Sequence, residues 1–442
     1  MRRRKTIKLN SSFSENDTLR SVKPWVVVGS RGFVVNRGSG SSVYVLSIVD
    51  YLRSVGFRVA FLALSPDGFG ARPFVRLDVE VVEAFDDYLI NGWTRFGTWA
   101  MRTDSPRPWL AAAAKLMLRK AVPKVGRWLP SRIRDWLNEN VMRPRWDMSS
   151  ASVTELDFAD YHIQRLDPVA VYINYFYLAK VATLPSVAKI PSYILTHGVF
   201  FDRSAFYEEK NVRPEHPMVD WETEIAALAQ ADAVVAIQQT DADILQRLLP
   251  AGTVLTAPMA MVARQNNAVR MPGRCLYVGG SSQHNALGLR WFLEGVWPTV
   301  LAVEPAAHLH VCGSIKQDFR DSYPNVTFLG RVVDLATEYD LALICLIPLV
   351  VGSGLKIKLV EALCYGRTGV ATSVGVQGLE SDISEIIAIA DDPAQFAAEV
   401  IDLLHNDGRR ITMEAKAINF ARQAFSADTC YRRLNPSFPT DG

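Results

Sequence analysis

The spacing of apolar residues along the chain predicts alternating β-strands and α-helices. Short apolar runs of the kind found in buried parallel strands lie between segments with an apolar residue every three or four positions, as in amphipathic helices. These runs occupy 25–29, 57–64, 169–174, 191–196, 233–237, 274–278, 309–312, 326–329 and 341–347. Alternation of this kind predicts parallel sheets covered by helices, and its two series predict two Rossmann-like α/β domains.

The polar, aperiodic stretch 258–272 is predicted to be the linker between these domains. The first domain then spans 24–257 and the second 273–424. Residues 1–23 are predicted to form a flexible basic tail, and 425–442 a C-terminal tail.

A glycine-rich loop precedes one predicted helix of the second domain. An apolar run stops at Pro348, and Gly352, Ser353 and Gly354 lead into a helical pattern over 355–365. Backbone N–H groups at a helix N-terminus lack partners within the helix and carry its positive dipole end, so the loop suits an anion such as phosphate. A glycine-rich loop alone is weak evidence for such a site.

Two charged residues in this helical pattern admit two interpretations. Lys356 lies within the apolar face, in the first turn, where the helix dipole disfavours a cation unless an anion lies beside it. Glu361 lies at the edge of that face, three positions after Lys358. Either these residues serve an anionic ligand, or Lys356 extends its amine to solvent and Glu361 pairs with Lys358 on the surface.

The whole stretch 348–379 resembles the nucleotide-sugar-binding segment of GT-B glycosyltransferases similar to glycosyltransferase family 4. It reads PLVVGSGLKIKLVEALCYGRTGVATSVGVQGL, with the Gly-Ser-Gly-Leu-Lys-x-Lys-x-x-Glu-Ala run, a Val-Ala-Thr strand and a Gly-Leu turn. The resemblance covers roughly 25–425 and implies the GT-B fold, in which two Rossmann-like domains face each other across a cleft. It also implies that the C-terminal helix, from Met413, returns to the first domain.

The resemblance implies which residues bind the nucleotide-sugar donor. Glu361 holds the place that binds the ribose hydroxyls, whereas Ser353 stands where many relatives have Glu. The sequence has no Arg or Lys from Gly279 to Ala286, where many members neutralise the leaving diphosphate. Lys356 is therefore predicted to do so, with the amides of Gly354 and Leu355, and Arg331 and Lys358 are alternatives. The predicted donor-binding residues are Gly279, Gly280, Ser281, His284, Gly352, Ser353, Gly354, Leu355, Lys356 and Glu361.

In the first domain, His197 follows the apolar run 191–196, at the carboxyl end of a strand, where open α/β sheets bind ligands. A histidine at a strand end is more often structural, but the resemblance assigns His197 to the donor sugar. We therefore predict His197 and Lys356 as the catalytic residues. Gly38, Gly40 and Arg203 are predicted on the acceptor side, and Gly198 replaces the Asp that relatives have after this histidine.

The region 93–147 is predicted to be a basic, Trp-rich helical insert. Between 95 and 145 there are twelve Lys/Arg and three Asp/Glu, and six of the ten tryptophans lie in or beside this segment. Basic amphipathic helices with tryptophan suit an anionic membrane surface, which would fit a lipid-linked acceptor. Alternatively, these helices pack on the first domain, with arginines that are solvated or bind an anionic acceptor.

The composition of the chain limits its possible binding partners and its cellular location. The formal net charge of +2 and the lack of a recognisable module argue against nucleic acid. Five scattered cysteines without a CxxC pair predict packing thiols in a reducing compartment. No apolar run reaches the roughly 20 residues that span a bilayer, and the start lacks an apolar signal segment. We expect a cytoplasmic protein, peripheral on the inner face of the membrane.

The implied reaction transfers a sugar from a nucleotide-diphosphate sugar to a hydroxyl of a glycan or lipid-linked glycan. The resemblance further implies retention of the anomeric configuration, and neither a metal nor a cofactor is expected. Two alternatives belong to other classes: a GT-B sugar-nucleotide epimerase or phosphorylase, and a non-catalytic nucleotide-sugar-binding partner of another transferase.

Overall fold

The computed structural model describes residues 23–31, 40–65, 69, 72–106, 109, 147–209, 217–264, 269–319, 321–352, 354–379 and 383–437. Gly38, Ser353 and most of the insert predicted at 93–147 lie outside the described residues. The roles predicted for them therefore stay predictions.

The described residues of the first half form two sheets. Its strands are β1 (Trp25–Ser30), β2 (Arg58–Ala63), β3 (Phe74–Arg76), β4 (Asp87–Ile90), β5 (Trp93–Phe96), β6 (Trp99–Arg102), β7 (Ala170–Asn174), β8 (Ser192–Leu195), β9 (Ala233–Ala236) and β10 (Thr253–Thr256). Seven strands form a parallel sheet in the order β10-β9-β8-β7-β1-β2-β4. The other three form a small antiparallel sheet in the order β3-β6-β5.

The helices of this half connect the parallel strands. They are α1 (Gly40–Ser54), α2 (Val79–Ala84), α3 (Val153–Leu166), α4 (Phe200–Glu209), α5 (Trp221–Leu228) and α6 (Gln239–Leu248). Local chemistry sets where some begin: α3 opens with a capping box in which Ser152 and Glu155 satisfy each other's backbone N–H groups. Along β1, Val26 and Val28 face one apolar cluster and Val27 faces another, so this strand is buried on both sides, as parallel strands are.

The second half repeats the alternation. Its parallel sheet contains β11 (Arg274–Val278), β12 (His308–Cys312), β13 (Val326–Gly330), β14 (Ile344–Ile347), β15 (Gly369–Ala371) and β16 (Ala388–Ile389), in the order β13-β12-β11-β14-β15-β16. Its helices are α7 (Gln283–Trp291), α8 (Trp297–Val303), α9 (Leu335–Leu341), α10 (Ile357–Cys364), α11 (Pro393–His405), α12 (Asp407–Ala424) and α13 (Ala427–Tyr431). Two helix-covered parallel sheets confirm the predicted α/β architecture.

The return of the chain to the first half differs from the prediction. Helix α12 packs on α10 in the second half. The residues after it, which were predicted as a tail, form α13, and α13 packs on α1. The Tyr431 hydroxyl accepts a hydrogen bond from the Ala260 amide at 2.8 Å, and the Tyr172 hydroxyl donates to the carbonyl oxygen of Leu434. The chain therefore returns to the first half after Phe425, where buried tyrosine side chains hold it. The segment is too short to give a clear helical pattern in the sequence, so its helix was not predicted.

Two other expectations concern the interior and the membrane. Each of the five cysteines is buried and free, which confirms that they are packing thiols. Within the described ranges, the helices are too short or too polar to cross a bilayer.

Candidate active site

The two halves of the chain meet at the start of α10. A β-carbon on Gly40, at the start of α1, would lie 2.6 Å from Cδ1 of Ile357, the first residue of α10. A β-carbon on Gly354 would lie 3.3 Å from the carbonyl oxygen of His197, just beyond β8. We call this contact region the seam. It places the glycine loop against the carboxyl end of the first sheet, where the sequence predicted a ligand site.

Lys356 lies in the seam, but not in the first helical turn as predicted. It is the N-cap residue of α10, with φ −89° and ψ 100°. Gly352 and Gly354, with φ of +125° and +80°, bend the chain so that the helix begins at Ile357, two residues later than predicted. Only 8% of Lys356 is exposed, and its Nζ donates to the Gly354 carbonyl oxygen at 2.6 Å and to Oε1 of Gln377 at 3.1 Å. The alternative of a solvent-extended amine is therefore wrong.

Lys358 is a second cation on the same side of the seam. Its Nζ donates to Oδ1 of Asn285 at 2.6 Å and lies 4.6 Å from the centre of the Tyr277 ring, at the end of β11. Burial lowers the pKa of Lys358 to about 7, although Glu361 opposes this shift. Arg331, the other alternative for the diphosphate, is exposed.

Glu361 points inward instead of pairing with Lys358 on the surface. Its Oε2 accepts a hydrogen bond from the Tyr339 hydroxyl at 3.0 Å, and the Tyr339 ring stacks on Tyr365 at 4.7 Å between centroids. Burial raises the pKa of Glu361 to about 7, against the lowering effects of Tyr339 and Lys358. A buried carboxyl with one hydrogen-bond donor has capacity left for ligand hydroxyls.

The loop that follows β11 is held by its neighbours. The Ser281 amide donates to Oγ of Ser314 at 2.9 Å, and Nδ2 of Asn285 donates to the Gly280 carbonyl oxygen at 3.0 Å. A β-carbon on Gly313 would lie 2.1 Å from the Gly279 carbonyl oxygen, so the loops after β11 and β12 are in direct contact. This fixed backbone brings the predicted donor residues of 279–284 to the edge of the seam.

His284 shows that cations from both halves converge here. A β-carbon on Gly352 would lie 3.7 Å from Cβ of His284, so the histidine faces the glycine loop. Burial first, and then the charges of Lys358, Arg203 and Lys356, lower the pKa of His284 to about 3. Its imidazole is therefore neutral near pH 7, and Arg203, predicted on the acceptor side, also lies close to the donor residues.

His197 is fixed by neighbours that the sequence analysis missed. Its Nε2 lies 2.6 Å from Oδ1 of Asn174, and Nδ2 of Asn174 donates to Oγ of Ser30 at 2.9 Å. Asn174 therefore presents its oxygen to the histidine, which carries the proton on Nε2. The Tyr175 ring lies 4.3 Å from the imidazole centroid. Burial and the charge of Arg203 lower the pKa of His197 to about 3, so it is neutral.

Tyr175 gives a further sign of a specialised site. It has φ +74° and ψ 148°, a backbone region that is nearly restricted to glycine. Strain of this kind is concentrated at functional sites, and here it turns the ring toward His197. The available sequence signal was the position of Asn174 and Tyr175 at the carboxyl end of β7.

The site therefore joins three cations, a helix N-terminus, two neutral imidazoles and a buried carboxyl. Cations and amides suit the two negative charges of a diphosphate, and neutral imidazole suits hydroxyl groups. Among the residues that the structure describes, no group of three or more His, Cys, Asp or Glu side chains is arranged to hold a metal ion.

Comparisons with known proteins agree with this description. Residues 272–406 match the family model described as Glycosyl transferases group 1. A curated relative, the uncharacterized 44.6 kDa protein in the cps region of Klebsiella pneumoniae, is 26% identical over 171 residues. The match covers 36% of this chain and 44% of the relative, less than half of its length.

Solved structures match over nearly the whole chain. Sucrose-phosphate synthase from Thermosynechococcus elongatus has a TM-score of 0.61 at 15% identity, covering 93% of this chain and 97% of that one. Anabaena HepE in complex with UDP has a TM-score of 0.58 at 12% identity, covering 93% and 98%. A mutant of S. aureus TarM, in complex with fondaparinux, alpha-GlcNAc-glycerol and UDP, has a TM-score of 0.57 at 10% identity, covering 93% and 99%. At these identities the likeness establishes the fold.

Residues 272–406 thus match Glycosyl transferases group 1, and the whole chain has the fold of the GT-B glycosyltransferases. Both statements confirm what the stretch 348–379 predicted.

Proposed function

We propose that the protein transfers a sugar from a nucleotide-diphosphate sugar to a hydroxyl of a glycan or lipid-linked glycan. The observation that carries the proposal is the position of Lys356 and Lys358 at the N-terminus of α10, against the loop that carries His284 and Asn285. Complexes of HepE and TarM with UDP support a nucleotide-linked donor. The cps-region relative supports a role in polysaccharide biosynthesis.

Each side chain then has a defined task. Lys356 and the amides of Gly354 and Leu355 hold the diphosphate, Glu361 accepts hydrogen bonds from the ribose hydroxyls, and neutral His197 contacts the donor sugar. Lys356 now donates to two neutral oxygens. Replacing one of them by a phosphate oxygen gains a charge-assisted hydrogen bond.

The transfer is a substitution at the anomeric carbon of the donor. The bond from that carbon to the diphosphate oxygen breaks, the acceptor oxygen forms the new bond, and the acceptor proton passes to the departing phosphate. Attack from the same face retains the configuration. Lysine and arginine side chains and backbone amides supply the positive potential that the leaving group needs, so the proposal requires neither a metal nor a cofactor.

A binding screen followed by an activity assay tests the proposal. We expect one of UDP-, GDP-, ADP- or dTDP-sugars to raise the melting temperature, because a ligand that binds only the folded state stabilises it. With that donor, nucleoside diphosphate should be released only when an acceptor is present, at a rate unchanged by EDTA, and the product should keep the donor's anomeric configuration by NMR. Turnover of the sugar nucleotide without an acceptor would indicate the epimerase alternative. Binding without turnover across an acceptor panel would indicate the non-catalytic one.

We also propose that the first half contacts an anionic membrane surface from the cytoplasmic side. The small sheet β3-β6-β5 exposes aromatic side chains, with Phe74 55%, Phe96 62% and Trp99 48% exposed. Aromatic rings of this kind suit the interface between lipid and water. Phe96 and Trp99 belong to the segment 95–145, whose sequence has twelve basic and three acidic residues and would complement anionic headgroups.

Vesicle sedimentation tests this contact. The protein should pellet with phosphatidylserine-containing vesicles and not with purely neutral ones, and it should do so less at high salt. Replacing Phe74, Phe96 and Trp99 by Ser, or reversing the charges of Arg119, Arg127 and Arg134, should each reduce the bound fraction at least tenfold. A matched control replaces Val303 and Ile411, which are equally exposed on the second half. If neither set changes the binding, or if no binding occurs, the membrane proposal is wrong.

A further inference from the structure

Two buried oxygen atoms near the seam lack a hydrogen-bond donor. Gln238 is the N-cap residue of α6 and Asp241 lies in its first turn, and they are 5% and 3% exposed. Nε2 of Gln238 donates to Oδ1 of Asp241 at 2.7 Å. This leaves Oε1 of Gln238 and Oδ2 of Asp241 without a partner among the described residues. Buried acceptors without donors are rare in native proteins because they lose their bonds to water, so a pair of them points to a function.

Both atoms lie beside the residues assigned to the diphosphate. A β-carbon on Gly378 would lie 2.4 Å from Oε1 of Gln238, so the turn around Gly378 covers this oxygen. The preceding residue, Gln377, accepts the hydrogen bond from Lys356. The charges of Arg203 and Lys356 both act on Asp241, and they partly offset the burial that raises the pKa of its carboxyl to about 6.

We propose that Oε1 of Gln238 and Oδ2 of Asp241 bind hydroxyl groups of the donor sugar. Sugar hydroxyls are hydrogen-bond donors, and both atoms are acceptors in need of one. The carboxyl end of β9, where Gln238 follows the strand, is the edge at which open α/β sheets bind ligands. The inference rests on the proposed function, because it takes the Lys356 end of the seam as the diphosphate position.

The two oxygen atoms of this subsite can hydrogen-bond a sugar hydroxyl but not a phosphate, which distinguishes the subsite from the diphosphate site. A phosphate presents only acceptors to Gln238 Oε1 and Asp241 Oδ2, so it gains no hydrogen bond there. A hexosyl group attached to the diphosphate brings several hydroxyls within a few ångströms of Lys356. Because the turn around Gly378 covers Oε1 of Gln238, sugar binding at this oxygen requires that turn to shift.

The test compares a nucleotide with its sugar ester by isothermal titration calorimetry. The probes are UDP with UDP-glucose and GDP with GDP-mannose, on the full chain. For the sugar nucleotide that the wild type binds, Asp241→Asn should lower the affinity about tenfold. This is the loss expected for a hydrogen bond to a charged acceptor. The affinity for the corresponding free nucleotide should change less than twofold. Gln238→Leu should also lower the affinity for the sugar nucleotide more than that for the free nucleotide. It is the second variant if Asp241→Asn does not fold.

The matched control is Asp243→Asn, an exposed position on the same helix whose carboxylate accepts from Gln239 at 2.7 Å. It should change neither affinity. The melting temperature of Asp241→Asn should stay level or rise, since a buried carboxylate with one oxygen lacking a donor is replaced by a neutral amide. Equal losses for nucleotide and sugar nucleotide, or no loss for either, would overturn the subsite alone. A wild type that binds neither these probes nor any other sugar nucleotide of the screen would overturn the subsite and the proposed function together.

Discussion

Lys356→Ala is expected to lower kcat/KM by about two to three orders of magnitude with the true donor. The reason is that Nζ of Lys356 lies at the N-terminus of α10, where the leaving diphosphate gains negative charge in the transition state. Removing one such preorganised donor costs about 2.7–4 kcal/mol of transition-state stabilisation in enzymes. Steady-state kinetics with the donor found in the binding screen gives the measurement.

The fold should tolerate this substitution. Lys356 donates to the Gly354 carbonyl oxygen and to Gln377, which are neutral groups, and its charge acts on the buried Asp241, so the melting temperature of the variant is measured beside its kinetics. Lys416→Ala is the matched control, because this lysine pairs with Glu385 at 2.9 Å on the surface of the second half. A loss smaller than threefold for Lys356→Ala, with a folded variant, would remove Lys356 from the mechanism.

Lys358→Ala tests how much each of the two lysines contributes to neutralising the leaving diphosphate. Lys358 is held by Asn285 and Tyr277, and its pKa of about 7 leaves its charge partial at neutral pH until an anion binds nearby. A larger loss for Lys358→Ala than for Lys356→Ala would make Lys358 the principal cation of the site. The proposed reaction would stand, since either lysine supplies the same charge.

The strands and the glycine loop were predictable because their signals are local. Apolar runs bounded by polar turns predicted both parallel sheets, and the pattern from Gly352 to Glu361 predicted a loop followed by a helix. The exact start of α10 was not predictable from helical spacing. Positive φ angles at Gly352 and Gly354 bend the backbone, which makes Lys356 a cap instead of a first-turn residue.

The other residues of the site could not be found by spacing, because they meet only through tertiary structure. Asn174 reaches His197 across 23 positions of the chain, and Gln377 reaches Lys356 across 21. Asp241 belongs to a helix that carries no motif, and its role depends on an oxygen left without a donor. Strand ends and helix starts predict the region of the site, but which side chains meet there is decided by the tertiary structure.

Glu361→Gln is expected to weaken binding of UDP, or of the nucleotide that the screen selects, by about ten- to a hundredfold. A carboxylate can accept hydrogen bonds from both ribose hydroxyls, whereas an amide has one acceptor oxygen, and each bond to a charged group contributes about 1.5–3 kcal/mol. The 2′,3′-dideoxy form of the same nucleotide should bind both proteins equally. Calorimetry with the two nucleotides gives the comparison, and Glu414→Gln, at a buried carboxyl that pairs with Arg270 at 2.7 Å, is the control.

The pH dependence adds an independent test of the same carboxyl. Since burial raises the pKa of Glu361 to about 7, its charged form is lost as pH falls below 7. The ratio of wild-type to Glu361→Gln affinity for the ribonucleotide should therefore shrink from pH 8 to pH 6. Lys358 gains charge over the same range, but at lower pH in Glu361→Gln, because this variant lacks the carboxylate that raises the pKa of Lys358. The same affinity ratio measured with the dideoxy nucleotide reports this effect of Lys358 and serves as the reference. If Glu361→Gln lowers the affinity for the dideoxy nucleotide as much as that for the ribonucleotide, Glu361 acts on the fold through Tyr339 and not on the ribose.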